Sequence, residues 1–144
     1  MSTFIDTNIF IYAYLKPKRK LQPHETTIKE SAKNIVLRVD KGENVVTTTV
    51  HFSELCNILE ENLPFEEALT IEEEILLRDN ITIHEVSIED YLKALPLAKE
   101  KKIGINDTLA YIIMKEKRIK KIYSFDKDFD KFQDIQRITN INRS

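Results

Sequence analysis

Strands alternating with helices over most of a 144-residue chain predict an α/β fold: a three-layer α/β/α sandwich with a central, mainly parallel four- to five-stranded sheet. Two further observations support that expectation. The β-branched run Val45–Thr48 has the compactness of a strand buried on both faces. Acidic motifs also recur beside predicted strand ends and helix starts, where parallel α/β sheets bind their ligands: Phe-Ile-Asp-Thr-Asn at 4–8, Ser-Glu-Leu at 53–55, Asn-Asp-Thr-Leu-Ala at 106–110 and Ser-Phe-Asp-Lys-Asp-Phe at 124–129.

The elements follow in order. Thr3–Ile5 is a short apolar strand, and residues 8–15 read as a mostly buried helix stopped by Lys16-Pro17, since proline cannot continue the helical ladder. The linker over 16–23 is basic. In the next helix, residues 24–41, the apolar positions Ile28, Ala32, Ile35, Val36 and Val39 recur at helical spacing, and Gly42 is the stop. Val45–Thr48 is the second strand. Thr49 then opens a helix with Phe52, Leu55, Ile58 and Leu59 on one face, broken by Asn62-Leu63-Pro64. A further helix covers residues 65–78, and alternation over 81–86 reads as a third strand. Ser87 and Asp90 resemble a capping pair opening a helix that Pro96 kinks and Gly104 ends. Asn106 is expected to cap a helix running to Lys117. Residues 121–125 form the fourth strand, and 136–139 a short fifth at the sheet edge.

Composition sets broad limits. Only two glycines and four prolines punctuate the chain, with no repeat or low-complexity stretch, so residues 1–144 read as one domain. Twenty-two basic and 24 acidic side chains leave a net charge of -2, so contacts to nucleic acid must come from local basic patches. The one cysteine, Cys56, cannot form an internal disulfide and sits among apolar residues of a predicted helix, which suits a reducing cytoplasm. The chain enters its first strand without a basic and apolar leader, and no apolar stretch approaches the roughly 18 residues of a membrane span. A cytoplasmic protein without membrane contact is expected.

Taken singly, each acid has an ordinary structural reading. Asp6 suits a helix cap, Asp107 complements a helix dipole, Asp126 suits an Asx-turn and Asp130 a solvated position. Glu54 fits less well, because Phe52 and Leu55 flank it on a helix near the core. In fold order, however, Asp6 follows the first strand, Asp126 follows the fourth and Asp107 opens a helix, so three acids share one rim of the sheet. Glu54 joins them if its helix starts near Thr49. Like charges gathered there would repel unless a divalent cation neutralised them.

The order and spacing of these motifs resemble those of the PIN domains and, within them, the VapC-like ribonuclease toxins, from Phe4 to about Phe132. The resemblance implies that Asp6, Glu54, Asp107 and Asp126 hold the catalytic metal, with Asp128 at a further acidic position whose use varies. Thr7, Asn8 and Ser124 flank these ligands, where their polar groups could orient carboxylates or water. It further implies an endoribonuclease that leaves a 5′-phosphate and a 3′-hydroxyl through an activated water, the toxin of a type II toxin–antitoxin pair. Such a toxin is a homodimer silenced by an antitoxin whose peptide tail blocks the acidic pocket or displaces its metal. The family also includes RNA-processing nucleases without an antitoxin.

Hard oxygen ligands favour Mg2+ or Mn2+ over zinc, and His24, His51 and His84 lack zinc-ligand spacing. For the RNA substrate, Lys16, Lys18, Arg19 and Lys20 form the densest basic run and are candidates for phosphate contacts, against the simpler reading of a solvated loop. Lys115 to Lys121 fits a helix C-terminus, where cations complement the dipole. Tyr12 and Tyr14 are candidates to stack on bases, with one of the pair expected in the core. Two rivals from other classes are a Mg2+-binding receiver-like signalling domain and a non-catalytic interaction module. The first needs an acidic pair at the first strand, where this chain has only Asp6. Retention of all four acids argues against the second.

Overall fold

The structure, a computed structural model, describes residues 2–141. Among them, β1 (Thr3–Ile5), β2 (Val45–Thr48), β3 (Ile81–His84), β4 (Lys121–Tyr123) and β5 (Gln136–Ile138) form one sheet in the order β3-β2-β1-β4-β5, with every neighbouring pair parallel. The helices are α1 (Thr7–Tyr14), α2 (Pro23–Asp40), α3 (Thr49–Asn62), α4 (Phe65–Leu77), α5 (Ile88–Lys101) and α6 (Ile105–Glu116), with a 3-10 turn at Lys127–Lys131. No helix of the described residues is long and apolar enough to cross a membrane.

Successive strand residues face opposite sides of a sheet, which divides the core in two. Ile5 and Val45 pack with Ile9 and Phe10 of α1, Ile35 and Val39 of α2, Leu55 and Leu59 of α3, and Ile71 and Ile75 of α4. Their strand neighbours Phe4, Val46 and Ile122 enter the other core with Ala110, Ile113 and Met114 of α6, Phe129 and Phe132. Leu97 of α5 packs against this second cluster. The sheet is therefore covered on both faces, as the near-continuous apolar character of β1 and β2 requires.

Chain order positions the site. From β1 the sheet grows through β2 and β3 to one side and through β4 and β5 to the other, so its direction of growth reverses between β1 and β4. A crevice outside the carboxyl ends of the strands is characteristic of such a switch point. The register Phe4↔Ile122 and Ile5↔Tyr123 levels the two strand ends, and the Asp6 N–H donates to the Tyr123 carbonyl at 3.0 Å. Asp6 and Ser124 therefore leave the sheet side by side.

Several boundaries differ from the sequence expectation. α1 starts at Thr7, because Asp6 is its cap, and α2 starts at Pro23, where the Gln22 N–H donates to Glu25 Oε1 at 3.1 Å. β3 stops at His84 and β4 at Tyr123, each short of its apolar run. The expected Asn106 cap is overturned: Gly104 holds the cap position of α6, which leaves the Asn106 side chain free to reach α3. α5 runs to Lys101 through Pro96 and ends on Lys102 in the left-handed region, with φ 57°. Gly42 has φ 113° after α2, a conformation that glycine adopts without a Cβ penalty. Ser87 and Asp90 do form the expected capping box, with Asp90 N–H to Ser87 Oγ at 3.2 Å and Ser87 N–H to Asp90 Oδ2 at 2.9 Å.

Candidate metal centre

Each acid is delivered by a backbone feature. Asp6 caps α1, and both its oxygens accept hydrogen bonds: Oδ1 from the Thr7 N–H at 2.9 Å and Oδ2 from the Ser124 hydroxyl at 2.7 Å. Ser124 is fully buried and also accepts the Asp126 N–H at 3.0 Å, so one hydroxyl joins the ends of β1 and β4. Asp126 caps the 3-10 turn by accepting the Asp128 N–H at 2.9 Å, which brings Asp128 onto the same side as Asp126. Asp107 lies in the first turn of α6. One carboxylate oxygen from each of Asp107, Asp126 and Asp128 lies within 4.8 Å of the other two.

Because α3 begins at Thr49, directly after β2, Glu54 is carried to the rim. Asn106 Nδ2 donates to Glu54 Oε1 at 3.2 Å and ties it to the start of α6. Sequence reading had no means of finding this bond, which spans 52 positions and is made by a residue that looked like a cap. Asp128, a further acidic position in the sequence, is brought by the fold into one triad with Asp107 and Asp126.

The electrostatics report a site with too much negative charge in too little water. Burial pushes Asp6 up to about 6 against the hydrogen bonds from Ser124 and Thr7, and the charges of Asp126 and Glu54 add to the rise. Asp107 is pushed up to about 8, first by burial, then by sharing a hydrogen bond with Asp126 and by the charges of Asp6, Asp126 and Asp128. Burial raises Glu54, and the Asn106 bond opposes it. Asp6 thus feels Asp126 and Glu54, and Asp107 feels Asp6, Asp126 and Asp128. A divalent cation with hard oxygen ligands fits this donor set, because it supplies the charge that the carboxylates lack.

The flanking polar residues divide in role. Asn8 accepts the Phe125 N–H at 3.3 Å and reaches Ser124 Oγ at a long 3.5 Å, so it braces the loop that carries Asp126. Thr7 touches Asp6 only through its backbone, while its hydroxyl donates to the His51 carbonyl at 3.1 Å and ties α1 to α3. His51 is packed in the core, with Nδ1 at 2.6 Å from Thr48 Oγ1, and burial pushes its pKa down to about 4.

Beyond the acids, Tyr12 is partly exposed and meets Phe125 edge to face at 5.4 Å, while Tyr14 stacks on Phe10. Tyr12, Lys16, Lys18 and Arg19 line a groove together with Asn62 and Leu63. Lys16, Lys18, Arg19 and Lys20 are all exposed, but Arg19 is engaged bidentately by Glu25 at 2.8 and 2.6 Å. Lys115 pairs with Asp134 at 2.6 Å, a structural use of the second basic stretch.

A parallel α/β sheet whose switch point gathers carboxylates from four separate segments defines an α/β domain with an acidic cluster at the carboxyl ends of its strands. The chain belongs to the PIN domain family, which it matches over residues 3–135. Its fold is shared with solved toxins. Mycobacterium tuberculosis VapC20, described as a sarcin-ricin loop cleaving toxin, is 21% identical with a TM-score of 0.68, over 90% of this chain and 93% of that one. A chain of Rickettsia felis VapBC2, solved bound to a promoter DNA fragment, is 18% identical with a TM-score of 0.65, over 96% and 98%. VapBC-1 of nontypeable Haemophilus influenzae gives 20% and 0.63, over 96% and 97%. A search of curated proteins finds no match.

Proposed function

We propose that this protein is a Mg2+- or Mn2+-dependent endoribonuclease and the toxin of a toxin–antitoxin pair. The observation that carries the reading is the convergence of Asp6, Glu54, Asp107, Asp126 and Asp128 at the β1–β4 switch point, with Asp6 and Asp107 held well above the usual carboxylate range. A bound divalent ion would supply Lewis acidity toward a phosphodiester oxygen and neutralise the pocket. The chain's own residues do the rest. Asp107, Asp126 and Asp128, whose oxygens lie within 4.8 Å of one another, would hold the ion together with Asp6 and Glu54. Ser124 and Asn106 fix the rotamers of Asp6 and Glu54, so the ligands are oriented before the ion arrives. Lys16 and Lys18 offer charge to the RNA backbone, and Tyr12 with Phe125 offers an aromatic surface beside Asp126.

The toxin role is supported by likeness to VapC20 and to two VapBC assemblies, which also points to an antitoxin partner. A homodimer is supported by the exposed stripe Ile88, Leu92 and Leu95 on α5, spaced to lie on one helix face. The test is cleavage of structured and single-stranded RNA by the purified chain in Mn2+, Mg2+ or chelator. Metal-dependent cutting to 5′-phosphate and 3′-hydroxyl ends is expected, lost in Asp6→Asn and Asp107→Asn. Undiminished cutting in chelator, or wild-type turnover in either variant, would overturn the reading.

A further inference from the structure

A second group of possible ligands lies between α3 and α4. Cys56 and Glu60 stand one turn apart on the same face of α3, and Glu72 comes across from α4. The sulfur of Cys56 and one carboxylate oxygen from each glutamate lie within 4.8 Å of one another. Cys56 follows Glu54 by two residues, about 200° further around the helix, so the group faces away from the acidic pocket. None of its members is among the groups that perturb Asp6, Glu54 or Asp107.

Glu72 supplies an independent observation. It is only 8% exposed and sits in a run of core positions with Ala68, Ile71 and Ile75, where helix packing calls for an apolar side chain. Its Oε2 is buried without a hydrogen-bond partner among the described residues. A carboxylate oxygen buried without a partner, with a second carboxylate facing it, is costly unless a proton or a cation compensates, and burial together with Glu60 raises the Glu72 pKa.

We propose that Cys56, Glu60 and Glu72 form a second metal site that takes a borderline-soft divalent cation of the Zn2+ class. One thiolate and two carboxylates are three ligands of a tetrahedral zinc-type site, and the exposed side of Glu60 leaves a position for water. The sulfur discriminates this site from the all-oxygen pocket, which suits Mg2+ or Mn2+. On binding, the Cys56 thiol releases its proton to solvent and the Sγ–metal bond forms. The ion would clamp α3 to α4 across the Leu63-Pro64 connection.

The test is Co2+ titration of the reduced, full-length chain, followed by its near-ultraviolet thiolate-to-cobalt charge-transfer absorption. The band is expected to saturate as the thiolate site fills and to be displaced by Zn2+. Cys56→Ser should abolish it, and Glu72→Gln should weaken Co2+ binding by at least about tenfold. The exposed Glu60→Gln gives the same readout if Glu72→Gln does not fold. Asp107→Asn should leave the band intact, so the result is independent of whether the acidic pocket is a nuclease site. Absence of the band in wild type, or a band insensitive to both glutamate substitutions, overturns the proposal; a proton shared between Glu60 and Glu72 would then account for the cluster.

Discussion

Asp107 shows how a side chain suited to a helix N-terminus can work against folding. The first turn of α6 favours an anion, yet burial and neighbouring carboxylates push Asp107 up to about 8 from an ordinary 3.8. Between those two values the folded chain holds a proton that the unfolded chain has released, so stability falls as pH rises through that window. In chelator, the melting temperature of the wild type is expected to drop from mildly acidic to mildly alkaline pH, and Asp107→Asn to show a shallower drop. At neutral pH without metal, the variant should melt roughly 2–4 °C higher while losing cleavage, measured by calorimetry and by RNA assay. Ser124 is the converse case, a neutral residue that holds two of the clustered acids, Asp6 and Asp126. Ser124→Ala removes the donor to Asp6 and the acceptor for the Asp126 N–H in a fully buried position. Denaturant unfolding should show a loss of about 1–3 kcal/mol. Titration should show Mn2+ affinity weakened by about 10–100-fold. The acids themselves were legible as residue types at strand ends. Ser124 was legible beside them as a candidate to orient a carboxylate, although its partner Asp6 lies 118 positions away; Asn106 was not, because it reads locally as a cap and acts on Glu54, 52 positions away.

At the scale of elements, α1 depends on both its ends. Asp6 caps its start, and its C-terminal carbonyls are gathered by Lys29 of α2, whose Nζ donates to Tyr12 and Leu15 at 2.8 Å and to Ala13 at 3.4 Å. Lys29 is buried, and its spacing of three and seven residues from Ala32 and Val36 places it on the apolar face of α2, where a lysine is unexpected. Lys29→Met keeps the stem but leaves those carbonyls unpaired. It should cost about 1–3 kcal/mol in denaturant unfolding and raise amide exchange in α1 more than in α6. α2 and α3 were legible because their apolar spacing records which face is buried. The start of α6 was not: Gly104 and Asn106 are both acceptable caps, but the Gly104 carbonyl accepts the Thr108 N–H and hydroxyl, and the Asn106 amide is turned to Glu54 instead.

For the whole molecule, the pocket joins segments from both halves of the chain, so a cation there should stabilise the fold as a unit. Mn2+ is expected to raise the melting temperature of the wild type in a concentration-dependent way, and chelation to reverse it. Asp126→Asn should blunt the rise. An equal rise in wild type and variant would place the bound ion elsewhere. By itself the sequence determined the alternation of strands and helices, the parallel sheet and the presence of acids at strand ends, because local periodicity and residue chemistry record burial and turn position. Only the tertiary structure decided that β1 lies between β2 and β4, which side chains orient each carboxylate, and that Asp128 joins Asp107 and Asp126. Those outcomes depend on strand order and on bonds between distant positions, which no local pattern encodes.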